Sequence, residues 1–194
     1  IWLAASTREG EEALLLDAWQ GVAATRALLV LVPRHPQRFT EVATLLAQRG
    51  MEFMQRSRGL PDKTTKVWLG DSMGEMAAYF TLADIAFIGG SLLPLGGQNL
   101  IEAASCGCPV LVGPHTFNFL QATNDAIAAG AAHRVADAGG VIKAIIESLA
   151  DRPRLQEMRI AARRFAANHR GASERTLAVI CSAAIEPPPD RAAR

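Results

Sequence analysis

With 194 residues, 49% of them hydrophobic and 20% charged, the chain is long enough for one well-buried core and too apolar for disorder. A formal net charge of +1 argues against the general basic surface of a nucleic-acid-binding protein. Three cysteines cannot close a disulfide framework, and the Cys106–Cys108 spacing does not suit a zinc hook. All three read as small buried residues of a reducing compartment.

The chain opens in an apolar, strand-like run, Ile1–Ala5, with no basic leader region before it, and no apolar run reaches membrane-spanning length. Lacking an initiator Met, it reads as a piece of a longer protein, with any membrane anchor or partner domain in the rest. From there, apolar and amphipathic stretches alternate. The spacing predicts a helix over Glu9–Val22, a strand over Ala27–Val32, a helix over Gln37–Arg49, and strands over Met51–Gln55 and Lys66–Leu69. A helix over Gly74–Ala83, a strand over Asp84–Ile88, a helix over Asn99–Ser105 and a strand over Pro109–Val112 come next. A helix over Phe117–Ala129, a strand over His133–Val135 and a helix over Gly140–Ala150 complete the alternation. Two further helices, Pro153–Asn168 and Gly171–Ile185, follow with no strand between them.

Uniformly apolar strands alternating with helices predict an α/β, Rossmann-like parallel sheet with helices on both faces. Residues 1–186 read as one nucleotide-binding domain, and the proline-rich tail 187–194 as disordered or a cloning remnant. The arginines from Arg152 to Arg175 read as a solvated helix face.

In such sheets ligands bind beyond the carboxyl ends of the strands. That rule selects the loops Ser6–Gly10, Pro33–Pro36, Gly70–Gly74, Gly89–Asn99 and Gly113–Phe119 as one composite site. The most informative of them is Gly89–Glu102, in which four glycines (Gly89, Gly90, Gly96, Gly97) precede a helix predicted to start at Asn99. Glycines let backbone approach a ligand, and a helix start offers unpaired N–H groups to an anion, so a phosphate-bearing ligand is expected.

Ser6 with Glu9, Ser72 with Glu75, and Asn99 with Glu102 share the spacing of a capping box, in which Glu reaches back to the cap. Capping alone would account for all these residues. For Glu102 the neighbouring glycines favour a second role, a carboxylate turned outward to accept ribose hydroxyls. Arg34 and His35 follow a strong strand, with Pro36 opening the next helix. Arg34 can grip phosphate bidentately, and the alternative is a surface arginine beside a satisfied loop histidine. His115, in a Gly-Pro-His turn, is the histidine best placed for a ligand, unless that turn serves only to join strand to helix. The four histidines show no metal-ligand spacing, and neither a phosphate-binding Walker loop, a dinucleotide fingerprint nor a nucleophile elbow is present.

Taken together, Ala5–Glu12, Pro33–Pro36, Gly70–Glu75, Gly89–Ser91, Gly96–Asn99 with Glu102, and Gly113–Phe119 resemble, in order, the motifs of the 3-deoxy-D-manno-octulosonic acid (Kdo) transferases. Gly130–Ala131 and Arg170–Ser173 fit too, so the resemblance covers nearly the whole chain. The resemblance implies the C-terminal, donor-binding half of an inverting GT-B glycosyltransferase. Such enzymes move Kdo from CMP-Kdo to the lipid A precursor at the cytoplasmic face of the inner membrane, without a bound catalytic metal or other cofactor. It implies that Arg34 contacts the CMP phosphate or the sugar-acid carboxylate, and that Gly70, Ser72, Met73 and Glu75 line the cytosine and ribose pocket, with Met73 against the base. Ser91, Gly96 and Gly97 would lie under the phosphate, and Asn99 and Glu102 would hold phosphate and ribose. The general base, the acceptor groove and the membrane anchor would belong to the other half, toward which the last helix, about 171–185, would cross with exposed apolar side chains.

This chain departs from the family pattern at Gln98, where His is usual, at Leu100, where Pro is frequent, and at Arg8, where His is common. Gln98 can donate a hydrogen bond but cannot titrate near neutrality, so it is expected to position backbone. Two other readings remain open on the residues: a GT-B transferase or epimerase using a UDP-sugar, and a Rossmann-type binding domain without chemistry.

Overall fold

The computed structural model describes residues 1–22, 26–169 and 176–181. Seven strands form one sheet: β1 (Trp2–Thr7), β2 (Leu29–Pro33), β3 (Phe53–Gln55), β4 (Val67–Leu69), β5 (Ile85–Ile88), β6 (Val110–Val112) and β7 (Ala132–Arg134). All pair in parallel, in the order β3-β4-β2-β1-β5-β6-β7. The helices between them are α1 (Glu11–Gln20), α2 (Phe39–Gln48), α3 (Met76–Leu82), α4 (Ile101–Ser105), α5 (Leu120–Ala128), α6 (Ala138–Ala150) and α7 (Arg152–Asn168). This is the expected doubly wound α/β fold. Every predicted strand is present, with no end moved by more than two residues.

Side chains that alternate along each strand fill two cores, one per face. Leu3 and Ala5 of β1 with Ala86 and Ile88 of β5 pack with Phe80, Ala103 and Phe165 from α3, α4 and α7. Trp2 and Ala4 with Ile85 and Phe87 pack on the other face with Leu15, Leu46 and Ile145 from α1, α2 and α6. Strand order reverses at β1, which has β2 on one side and β5 on the other, so the switch point lies beyond the ends of these strands.

Three local expectations are corrected. β1 runs on to Thr7 through a bulge, and Ser6 there is the one non-glycine residue with positive φ (54°) among the described residues. α1 therefore starts at Glu11, behind Gly10, and Ser6 and Glu9 form no capping box. α4 has five residues and begins at Ile101, and its first N–H is met by Asn99 Oδ1 at 2.9 Å. Among the described residues, the N-cap side chains that accept a helix N–H are Asp137, from Gly140, and Asp151, from Arg154. Finally, only Cys108 is buried, its thiol pushed up to about 12 by desolvation, while Cys106 is half-buried and Cys181 exposed.

The arginines of α7 are only in part a solvated face, because Arg152 and Arg159 both reach Asp84, at 3.1 and 3.3 Å. Arg170 and Arg175 lie outside the described residues. The last expected helix, 171–185, is described only over 176–181, where the chain is helical and Leu177 and Ile180 are exposed. The expected tail, 187–194, lies outside the described residues.

Candidate functional site

The ends of β1, β2 and β5 open onto a cleft of about 230 Å³. Ala5 and Ser6 form its floor with Ile88. Arg34 stands after β2, Met76 and Phe80 come from α3, and Gln98, Asn99 and Glu102 come from the turn and first residues of α4. A smaller hollow of about 30 Å³ shares Ser6, Arg34 and Met76 with the cleft and adds Ser72, Met73, Glu75 and Tyr79. The fold thus assembles seven of the expected residues around one switch point: Arg34, Gln98, Asn99 and Glu102 in the cleft, Ser72, Met73 and Glu75 beside it. A larger hollow of about 580 Å³ lies between α5 and α7, lined by Asp125, Ile160 and Phe165, but none of the expected site residues reaches it.

Arg34 is held by its backbone, its N–H donating to Thr7 O at 2.9 Å. Its side chain is exposed and has no partner among the described residues, which leaves the guanidinium free for an anion. Glu102 is likewise exposed, and no N–H claims it as a capping box would. Asn99 spends its carbonyl oxygen on Ile101, so its NH2 group remains for a ligand. One free cation, one free carboxylate and two carboxamides suit a ligand that carries both an anion and hydroxyls.

The Gly70–Glu75 loop is partly engaged already. Glu75 accepts from the Ser72 hydroxyl and from Arg56 Nη2 at 2.9 Å, and the Ser72 hydrogen bond holds its carboxyl below the usual range, with Arg56 adding to that. Met73 is 61% exposed and can lie over a planar group. Gly70 does not face the cleft and packs against Val32 and Tyr79.

The remaining expected residues shape the site from behind. Ser91 is fully buried, and its hydroxyl donates to Ile88 O and accepts from Gly113 N at 2.8 Å, so it is not exposed under a phosphate. Gly96, with φ 88°, brings the chain against Asn118 and Phe117, where a side chain would collide. Gly97 N donates to Gly90 O at 2.7 Å and closes the turn that carries Gln98 and Asn99. His35 caps the turn before α2 through its carbonyl, which accepts from Arg38 N. His115 is half-buried and does not line the cleft, and its N–H donates to Ser91 O at 3.0 Å.

Buried charges are what the residue-by-residue reading missed. Glu11 and Glu12 are both fully buried. Glu12 Oε1 accepts from Thr7 Oγ1 and from Arg38 Nη1, each at 2.7 Å, and its other oxygen is buried with no hydrogen-bond partner among the described residues. Burial raises its pKa against the pull of Thr7 and Arg38. Arg134, also unforeseen, clasps the Gly113–Thr116 loop through Gly113 O at 3.1 Å and Thr116 Oγ1 at 3.0 Å. Among the described residues, no group of three or more His, Cys, Asp or Glu is placed to hold a metal, and no helix is long and apolar enough to cross a membrane.

No family model matches the chain. It is 50% identical over 180 residues to a 3-deoxy-D-manno-octulosonic acid transferase of Bordetella pertussis, covering 89% of this chain and 42% of that protein. A transferase of the same name from Haemophilus influenzae is 48% identical over 122 residues, covering 61% of this chain and 29% of that protein. The chain thus spans less than half the length of these relatives. The crystal structure of the C-terminal CMP-Kdo binding domain of WaaA from Acinetobacter baumannii superposes with a TM-score of 0.80 at 32% identity, covering 84% of this chain and 87% of that one. A domain of matching extent and fold thus accompanies the sequence identity, and the chain belongs to the Kdo transferase family, aligned with its C-terminal half and Rossmann-like as in GT-B enzymes.

Proposed function

We propose that this chain binds CMP-Kdo and is the donor half of an inverting transferase that places Kdo on the lipid A precursor. The observation that carries this reading is the cleft at the β1/β5 switch point. There Arg34, free of any partner among the described residues, meets Gln98, Asn99 and Glu102, in a chain whose structural neighbour is a CMP-Kdo binding domain.

Bond cleavage to CMP leaves charge on a phosphate. The Arg34 guanidinium and the carboxamides of Gln98 and Asn99 stabilise that charge, and the Glu102 carboxylate accepts the ribose hydroxyls. Met73 covers the base at the Ser72–Glu75 loop. Ser91, Gly96, Gly97 and His115 act by shape, setting the turn that presents Gln98 and Asn99. The sugar passes through an oxocarbenium-like state while a carboxylate of the other half of the enzyme deprotonates the acceptor hydroxyl. Transfer then requires two halves to close over the cleft, and this chain calls for no metal or cofactor of its own in that scheme. Contact with the lipid acceptor, and with the cytoplasmic face of the inner membrane, falls to the other half.

Calorimetric titration with CMP, UMP and UDP tests the reading. CMP is expected to bind tightest, and Arg34→Ala and Glu102→Ala each to weaken it by about tenfold to a hundredfold, the effect of losing a charged hydrogen-bonding partner. A preference for UDP, or CMP affinity indifferent to both substitutions, would overturn it.

A further inference from the structure

Glu11 is a fully buried carboxylate that the donor-site reading leaves without a role. Its partners are all backbone N–H groups. Oε2 accepts from Gly90 at 2.6 Å and from Arg8 at 2.9 Å, and Oε1 accepts from Leu92 at 2.9 Å. Backbone N–H groups converging on one point form a nest for an anion. The glycine turn after β5 is such a nest, and the chain fills it with its own side chain.

We propose that Glu11 is a positioning residue of the donor cleft. As a built-in anion it holds the turn at 89–92 closed, and so sets the turn that carries Gln98 and Asn99. This inference rests on the donor-binding reading and deepens it. The linkage is continuous in the structure. Glu11 fixes Gly90 N, Gly90 O accepts from Gly97 N at 2.7 Å, and Gly97 leads directly into Gln98 and Asn99 at the cleft. Through Arg8 the same carboxylate also holds the exit of β1, next to Ser6 on the cleft floor.

Charge adds a second consequence. A phosphate would find the N–H groups of Gly90 and Leu92 already taken and a negative charge among them. It is therefore turned toward Arg34, which lines the cleft. Without Glu11, the buried N–H groups would have no acceptor and would repel one another, and the turn would open.

The test uses Glu11→Ala and Glu11→Gln with two readouts, CMP affinity by calorimetry and amide hydrogen exchange at Gly90 and Leu92 by NMR. Each is measured in sodium formate and in sodium chloride at equal ionic strength. In Glu11→Ala, CMP affinity is expected to fall about tenfold or more and both amides to exchange faster, with formate entering the vacated nest and recovering both. Glu11→Gln fills the nest and turns an NH2 toward an N–H, so it is expected to weaken CMP binding without response to formate. It carries the test by itself if the alanine variant does not fold. Wild-type CMP affinity in a folded variant, or exchange at Gly90 and Leu92 unchanged by substitution, overturns the proposal. A wild-type chain that binds no CMP overturns the donor reading instead. Exchange then decides Glu11 alone: faster exchange with formate recovery upholds its hold on the turn, and unchanged exchange refutes it.

Discussion

Arg34 and Glu12 are charged side chains at one sheet edge under opposite conditions. Arg34 is exposed and without a partner among the described residues, so Arg34→Ala is expected to leave the unfolding free energy in urea within about 0.5 kcal/mol of wild type while weakening CMP binding. A large loss of stability would mean that the guanidinium serves the fold. Glu12 is buried, and desolvation raises its pKa above the ordinary 4.5. The unfolded chain therefore releases this proton first as pH rises, and Glu12's contribution to stability falls from about pH 4.5 upward until the folded state has released it too. The stability difference between wild type and Glu12→Gln should accordingly shrink as pH rises through that range, and a difference that grows would contradict the assignment. Arg34, Asn99 and Glu102 were legible in the sequence because strand ends and glycine turns advertise them. Glu11 and Glu12 were not. Two acidic residues opening a helix look like solvated partners of its dipole, but Glu11 is held by a turn 79 residues further along the chain and Glu12 by Arg38, 26 residues on.

The strands were legible as elements because burial on both faces makes them apolar throughout, a pattern that needs no knowledge of their neighbours. Their exact ends, and the helix starts, depend on loop packing that no local pattern records. The bulge at Ser6 lengthens β1 and moves the start of α1, and Asn99, accepting the Ile101 N–H, precedes α4 instead of opening it. The cap spacings at Ser6 and Asn99 misled for that reason: the spacing was present, but the backbone bends elsewhere. Gly89 marks where two such loops press together, since a Cβ there would run into the carbonyl of Ser6. Gly89→Ala is expected to cost about 1–3 kcal/mol in urea unfolding, the range for overpacking. A cost under about 0.5 kcal/mol, the level of a surface change, would show that β1 and the turn after β5 separate freely.

At the scale of the whole molecule, the described residues form one seven-stranded sheet with one well-furnished edge. In the proposal the residues placed there recognise a nucleotide, and none of them acts as a base toward an acceptor. Matching 42% of the Bordetella pertussis transferase, the chain aligns with less than half of that protein. Incubated by itself with CMP-Kdo and lipid A precursor it is therefore expected to form no product, checked by mass spectrometry of the lipid. Turnover would place the general base within these residues. The fold and the location of the cleft came through from pattern alone, whereas the internal anion at Glu11 emerged only from the three-dimensional arrangement. The most direct test is a crystal structure of the chain with CMP. The phosphate is expected within hydrogen-bonding distance of the Arg34 guanidinium, with the ribose hydroxyls on Glu102 and the Gly90 and Leu92 amides still on Glu11. A phosphate seated on those two amides, with Arg34 unoccupied, would contradict the account.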